Sequence, residues 1–461
     1  MKRYAGWVMA GLLFSGVAAN AQKGAINAQE LESIRGSFKK DAYTTAMQNA
    51  LMNNDIKKLA FNHDNQNTLD HQFKYRVNVK GITNQRSSGR CWMFTSMNVL
   101  RPKVIAENNL SGFQFSQNYL YFWDIFEKSN LFLNNIIQTV DKDIMDREVR
   151  WYFRDPASDG GVWNNFVNLV KKYGLVPKTV MNETHSSEST SQMIKLLKRK
   201  LRENGLELRD MAANGAKEKA LQKRKVEMMK EVYRMLALNL GTPPTTFEYR
   251  FQAKKGELAN YKKYTPQEFA KLAMGDINLD DYVMIMNDPT RPYYKHYDIS
   301  NYRNVEEGEN WHYVNLPNDV IKEFCIESIK NNEAMYGSCD VGKQLDSKNG
   351  ISDVDNYNYD AVYGVKFGMN KKQRILSGES GSSHGMAIIA VDVDENGQPT
   401  KWQFENSWGA SSGHNGYLTF TDKWFDEFMF RFVIHKKFLS EKVRKIYEEK
   451  AIELPAWDPM F

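Results

Sequence analysis

Gln85 stands six residues ahead of Cys91, in Gln85-Arg86-Ser87-Ser88-Gly89-Arg90-Cys91-Trp92, and the ten residues after Cys91 are mostly apolar. Trp92, Met93, Phe94, Thr95, Met97, Val99 and Leu100 read as a helix buried on all sides, which requires a core large enough to surround it. Cys91 then opens that helix, where the positive end of the helix dipole favours a thiolate, the reactive form of the side chain. An attacking thiolate generates an oxyanion, and two donors must meet it: the backbone N–H of the cysteine and a side-chain amide a short loop upstream. Gln85 is placed to be that amide. A lone cysteine is more often a small buried hydrophobe, so the remaining chain has to supply the partners.

A thiolate nucleophile needs a base and a group that holds the base's ring. The chain has 8 histidines. His384 follows the small-residue turn Ser382-Ser383 and leads into Met386-Ala387-Ile388-Ile389-Ala390-Val391, so it opens a buried strand. A second strand, Trp402-Gln403-Phe404-Glu405, ends in Asn406-Ser407-Trp408-Gly409. Two neighbouring strands of this kind bring His384 beside Asn406, with Trp408 shielding their hydrogen bond from water.

These motifs resemble those of the papain-like cysteine peptidases, and more closely the bleomycin hydrolase and aminopeptidase C branch. The shared residues are Gln85, Cys91-Trp92, His384, Asn406-Ser407-Trp408-Gly409, Gly413 and Gly416-Tyr417. Branch-like segments recur along the chain: Phe115-Ser116-Gln117-Asn118-Tyr119-Leu120, Asp159-Gly160-Gly161-x-Trp163, Cys339-Asp340-Val341-Gly342-Lys343 and Leu454-Pro455-Ala456-Trp457-Asp458-Pro459-Met460. The resemblance implies an α+β, papain-like fold of two lobes, one helical and one β-rich, with a helical insertion and a C-terminal arm. It implies a Cys91, His384, Asn406 site with Gln85 in the oxyanion hole. Gly160 and Gly161 are then the backbone edge for substrate, with Trp408 and the terminal Phe461 also on the substrate's path. It further implies a homo-hexamer whose sites face a central channel, and a tail along the cleft that restricts cleavage to the N-terminal residue of peptides. Such relatives continue a few residues beyond Trp-Asp-Pro-Met, which leaves open a papain-like endopeptidase with an unobstructed cleft.

The expected divisions are a leader (1–21), an N-terminal arm (22–75), the helical lobe (76–184), the insertion (185–275), the β-rich lobe (276–440) and the C-terminal arm (441–461), which starts as a charged helix and finishes as an extended tail kept so by Pro455 and Pro459, with Trp457 as its apolar anchor. Lys2 and Arg3, the apolar run Ala5 to Ala18, and Ala19-Asn20-Ala21 before Gln22 have the form of a cleavable signal peptide, too short to be a committed membrane span. A periplasmic or secreted protein starting near Gln22 is the expectation. Cys325 and Cys339 could pair in such a compartment, although Cys339 falls in a motif that favours an unpaired role. No Cys or His grouping has metal-ligand spacing, and no cofactor is expected. The net charge is +6. Its excess concentrates between Thr190 and Arg234 on two amphipathic helices with apolar positions Met193, Leu196, Leu197, Leu201, Val226, Met229, Tyr233 and Leu236. A nucleic-acid-binding channel is the rival from another class, but aromatics are not interleaved with these charges as base stacking requires.

Overall fold

The computed structural model describes residues 24–65 and 69–461. The expected leader and the processed start at Gln22 lie outside them. The described residues divide into two compact units, one formed by the chain up to Phe61 with Tyr359–Val365, the other by Asn62–Asn358 with Lys366–Phe461. The smaller unit holds the helices Ala28–Ser37, Ala42–Asn53, Ile56–Ala60 and Tyr359–Tyr363. Its first helix starts on a capping box in which Asn27 and Glu30 satisfy each other's backbone N–H groups.

The larger unit is α+β. Its helical part is built on Cys91–Glu107, Gln117–Gln138, Arg147–Arg154 and Trp163–Tyr173. In Cys91–Glu107 every residue from Trp92 to Arg101 is buried. A sheet of twelve strands forms the other part. Its order is Ile452–Leu454, Lys295–Ile299, His312–Asn315, Tyr282–Met286, Met429–His435, Met335–Cys339, His384–Val393, Pro399–Glu405, Tyr417–Thr421, Ile351–Ser352 and Leu345–Asp346, with Tyr75–Arg76 pairing the His384 strand off this path. The central strands are covered on both faces: Tyr282–Met286 and Met335–Cys339 are buried at every position, and the first of them is a continuous apolar run.

The helices Ser191–Ala213 and Glu218–Leu240 both pack against Gln117–Gln138. The segment 185–275 is not wholly helical, since Phe247–Tyr249 and Lys262–Tyr264 form a separate two-stranded sheet. On the first helix Met193, Leu197 and Leu201 are buried, whereas Leu196 is exposed. On the second, Met228, Met229, Val232 and Leu236 are buried, Tyr233 is half-buried and Val226 is exposed. Leu196 and Val226 fall off the stripe that faces the core; Leu196 is one residue, or about 100°, from the buried Leu197. Much of the basic excess is spent on local partners: Lys198 pairs with Asp155 at 2.7 Å, Lys200 with Glu231 at 3.2 Å and Arg224 with Glu207 at 2.6 Å.

Cys325 and Cys339 are both buried and free, so they do not form a disulfide with each other. The C-terminal arm departs from the expected extended tail. After the helix Glu441–Glu448 and the strand Ile452–Leu454 come two turns, closed by Asp458 N–H to Pro455 O at 3.0 Å and Phe461 N–H to Asp458 O at 2.9 Å. Asp458 Oδ1 accepts from Met460 N–H at 2.9 Å, and Pro459 sits where its fixed φ suits a turn. Trp457 is anchored by the Arg147 guanidinium, 4.5 Å from its ring centroid, rather than by apolar burial. Among the described residues no helix is long and apolar enough to cross a membrane.

Candidate active site

The helix that carries the candidate nucleophile begins at Cys91 itself. Its N-cap, Arg90, makes no side-chain cap hydrogen bond, so the first N–H groups of the helix are not consumed by a capping oxygen. Across from it, His384 opens the strand His384–Val393, and its next neighbour donates to the sulfur: Gly385 N–H to Cys91 Sγ at 3.5 Å. The Pro399–Glu405 strand runs antiparallel beside it and ends just before Asn406. His384 Nε2–H donates to Asn406 Oδ1 at 2.8 Å, an assignment supported by Ser407 N–H donating to the same oxygen at 2.8 Å. An amide oxygen only accepts, so the His384 proton is on Nε2 and the lone pair is on Nδ1. The Trp408 ring lies 4.8 Å from the His384 ring and covers it.

Gln85 is held from both ends. Its Oε1 accepts from Ser407 Oγ–H at 2.6 Å, its Nε2 donates to Ser88 O at 2.6 Å, and its backbone N–H donates to Ser407 O at 2.8 Å. One Nε2 hydrogen remains for the cavity that Gln85 lines together with Cys91 and His384. That cavity measures about 600 Å³ and also reaches Gly160, Gly161 and Phe461. Trp408 is not among its lining residues; it stands behind His384 instead.

Gly161 is fixed as glycine by packing. A Cβ there would lie 2.6 Å from Trp92 Cε2, inside any tolerable contact. Trp92 Nε1–H donates to Asp159 O at 2.9 Å, and Asp159 Oδ2 accepts from Gly89 N–H at 2.7 Å, tying this loop to the residues ahead of the cysteine. Lys128 holds the same loop from beneath, donating to Ser158 O at 2.9 Å and to Gly160 O while paired with Asp124 at 2.7 Å.

Burial dominates the electrostatics. It pushes the Cys91 thiol up, against the Gly385, Trp92 and Cys91 backbone N–H groups that pull it down, and the Asp159 carboxylate adds to the upward push. Burial also lowers His384 to about 4, opposed by the Asn406 hydrogen bond. Neither charge is favoured alone. A charged form would require the thiol proton to pass to His384 Nδ1, so that each ion became the other's counterion.

In the same cavity the Phe461 ring stacks on Tyr302 at 4.1 Å and meets Trp151 edge-on at 5.2 Å. Arg431, 5.3 Å from the Tyr302 ring centroid, donates to Met460 O. Sequence reading missed Ser407 as the clamp on Gln85, Asp159 and Lys128 as holders of the glycine loop, and Tyr302, Tyr336 and Arg431 as cavity walls. Ser407 and Asp159 at least lay inside motifs already singled out, whereas Tyr302 and Arg431 have no local signature.

The fold and this constellation define a cysteine peptidase, and the chain belongs to the Peptidase C1-like family, whose profile matches residues 25–461. It is similar to aminopeptidase C of Lactobacillus delbrueckii subsp. lactis, at 38% identity over 440 residues covering 94% of this chain and 98% of that protein. It is also similar to bleomycin hydrolase of Homo sapiens, at 36% identity over 446 residues covering 94% and 98%. A crystal structure of PepW from Lactobacillus rhamnosis superposes with a TM-score of 0.91 at 36% identity, covering 95% of this chain and 99% of that one.

Proposed function

We propose that this cysteine peptidase is an aminopeptidase that releases N-terminal residues through a thioester on Cys91. The thiolate attacks the peptide carbonyl, and the oxyanion is met by the Cys91 N–H and the free Gln85 Nε2 hydrogen. His384 Nδ1 takes the thiol proton and returns it to the leaving amine; water then cleaves the thioester with the same nitrogen as base. Asn406, a neutral acceptor, keeps the ring in the required tautomer without fixing the proton on it.

The observation that carries the exopeptidase reading is the seat of Phe461. Its stack on Tyr302 puts the tail among the residues that line the same cavity as Cys91, where a longer acyl-side chain would have to pass. Relatives named aminopeptidase C support it. The test is a panel of fluorogenic amino-acid amides, each with a free and an acetylated N-terminus. Turnover confined to the free amines is the expected result; equal rates on both series would establish an endopeptidase instead.

Two further readings belong to this proposal. The Lys2-Arg3 start, apolar run and Ala19-Asn20-Ala21 support export and processing before Gln22, which N-terminal sequencing of periplasmic and cytoplasmic fractions decides. A homo-hexamer is the expected assembly, with mass measurement in solution as the check.

A further inference from the structure

Arg101 joins three segments that carry candidate site residues. It is buried on the helix Cys91–Glu107, and it does not line the cleft. Its Nη2 donates to Glu405 Oε1 at 2.5 Å and to Gly81 O at 2.9 Å, and its Nη1 donates to Asn98 Oδ1 at 2.9 Å. Glu405 ends the strand Pro399–Glu405, immediately ahead of Asn406. Gly81 opens the stretch that runs to Gln85.

The same helix face carries a second tie. Asn98 lies about two turns past Cys91, on its side of the helix, and donates from Nδ2 to Thr83 Oγ1 at 2.9 Å. Thr83 O accepts from Gly409 N–H at 3.0 Å, and Asn84 forms an antiparallel bridge with Trp408. The Gln85 stretch and the Asn406–Gly409 segment therefore lie alongside each other, and Arg101 with Asn98 fastens both to the helix that begins at Cys91.

Stability is a poor account of this arrangement. Both side chains of the Arg101–Glu405 pair are buried. Burial pushes Glu405 up to about 7, although Arg101 first and Arg76 after it pull the carboxyl down. The ionised carboxylate is thus held at a net cost, and a buried pair of that kind adds little to the stability of a fold. What a guanidinium supplies is direction. Its donors are fixed in one planar fork, so strand, stretch and helix can all satisfy it in only one mutual placement; an ammonium on a flexible stem imposes no such constraint.

We propose that Arg101 is a positioning residue of the reaction: by holding Glu405 and Gly81 on one guanidinium it sets the places of Asn406 and Gln85 relative to Cys91. The inference rests on the reading of Cys91, Gln85 and Asn406 as the site. Arg101 touches no substrate and acts through those residues.

The test separates placement from stability with three variants, Arg101→Met, Arg101→Lys and Arg101→Met/Glu405→Met. Each is followed by urea denaturation and by kcat and KM on an amino-acid amide. Arg101→Met lowers kcat about ten-fold, the worth of one charged hydrogen bond, with KM little changed, and also lowers the urea midpoint. Arg101→Lys keeps the charge and the Glu405 contact and recovers only part of kcat. In the double variant no buried charge is left unpaired, so the urea midpoint recovers, while kcat stays low because Gly81 O and Asn98 still lack their donor. A kcat that recovers together with the midpoint in the double variant overturns the proposal, as does a wild-type kcat in Arg101→Lys. If Arg101→Met does not fold, those two variants alone decide. Cys91→Ala is assayed in parallel: turnover persisting there refutes the site itself, whereas an inactive Cys91→Ala beside either overturning result refutes only the role of Arg101.

Discussion

Ser407→Ala isolates the support of the oxyanion hole from the hole itself. In the structure the Ser407 hydroxyl donates to Gln85 Oε1 at 2.6 Å, and the opposite end of the same amide donates to Ser88 O at 2.6 Å. Removing the hydroxyl leaves the Ser88 bond and the Gln85 N–H to Ser407 O bond in place, so the loop stays where it is and only the amide plane gains freedom. A neutral hydrogen bond of this kind is worth about 1 kcal/mol, a factor of about 5 in population. Losing the Gln85 donor outright costs on the order of 100-fold in kcat. Ser407→Ala is therefore expected to lower kcat about 5-fold at unchanged KM, measured on a good amino-acid amide substrate. The decisive arm is the double variant. In a Gln85→Ala background Ser407→Ala has nothing left to orient and should add no further loss. Full additivity of the two losses would refute the clamp, and a wild-type kcat in both single variants would remove Gln85 from the oxyanion hole.

The remaining predictions concern the thiol, the glycine loop and the tail. Cys91→Ala abolishes turnover with the fold intact by circular dichroism, and His384→Ala loses nearly as much because the pair acts as a unit. In His384→Ala the buried thiolate has no counterion, so the midpoint for alkylation of Cys91 by iodoacetamide rises relative to wild type, in the direction in which burial pushes the thiol; an unshifted midpoint would mean the histidine is not the proton acceptor. Gly161→Ala drives a methyl into Trp92 and is expected to cost about 1–3 kcal/mol by urea denaturation and to depress kcat, since Trp92 neighbours the nucleophile. Deleting Trp457 to Phe461 should raise cleavage of N-acetylated substrates relative to free amines; a constant ratio would show that the tail does not set the exopeptidase limit.

The candidate constellation was legible in the sequence because its parts sit at element boundaries. A cysteine before an apolar helix, a histidine before an apolar strand and an asparagine after one each mark where a side chain is left at the end of a regular run. The sheet was less legible. Strands such as Tyr282–Met286 are apolar at every position, so period-two alternation is absent and partners cannot be read from the pattern. The apolar stripes of the two long helices were misread at Leu196 and Val226, since neighbouring apolar positions do not say which of them faces inward. The tail was misjudged for a different reason: proline suits a turn as well as an extended run, and the Asp458 side chain that tips the choice acts through Met460 N–H. Arg431 and Tyr302 come from a strand and a loop far apart in the chain, and only the folded sheet brings them to one wall.

The strand that precedes the tail, Ile452–Leu454, and the strand that begins with His384 belong to one hydrogen-bonded sheet, whereas the segment 185–275 contributes no strand to it. The candidate histidine and the proposed stop thus share a common datum. An insertion or deletion among the intervening helices leaves their mutual spacing untouched, while a slip of the Ile452–Leu454 strand by two residues along Lys295–Ile299 would move the stop by about 6–7 Å, close to two backbone positions of an extended substrate. On the proposed reading, in which the tail sets the stop, cleavage length is a matter of strand registration, and re-registering one short edge strand would retune it without touching a residue of the candidate site.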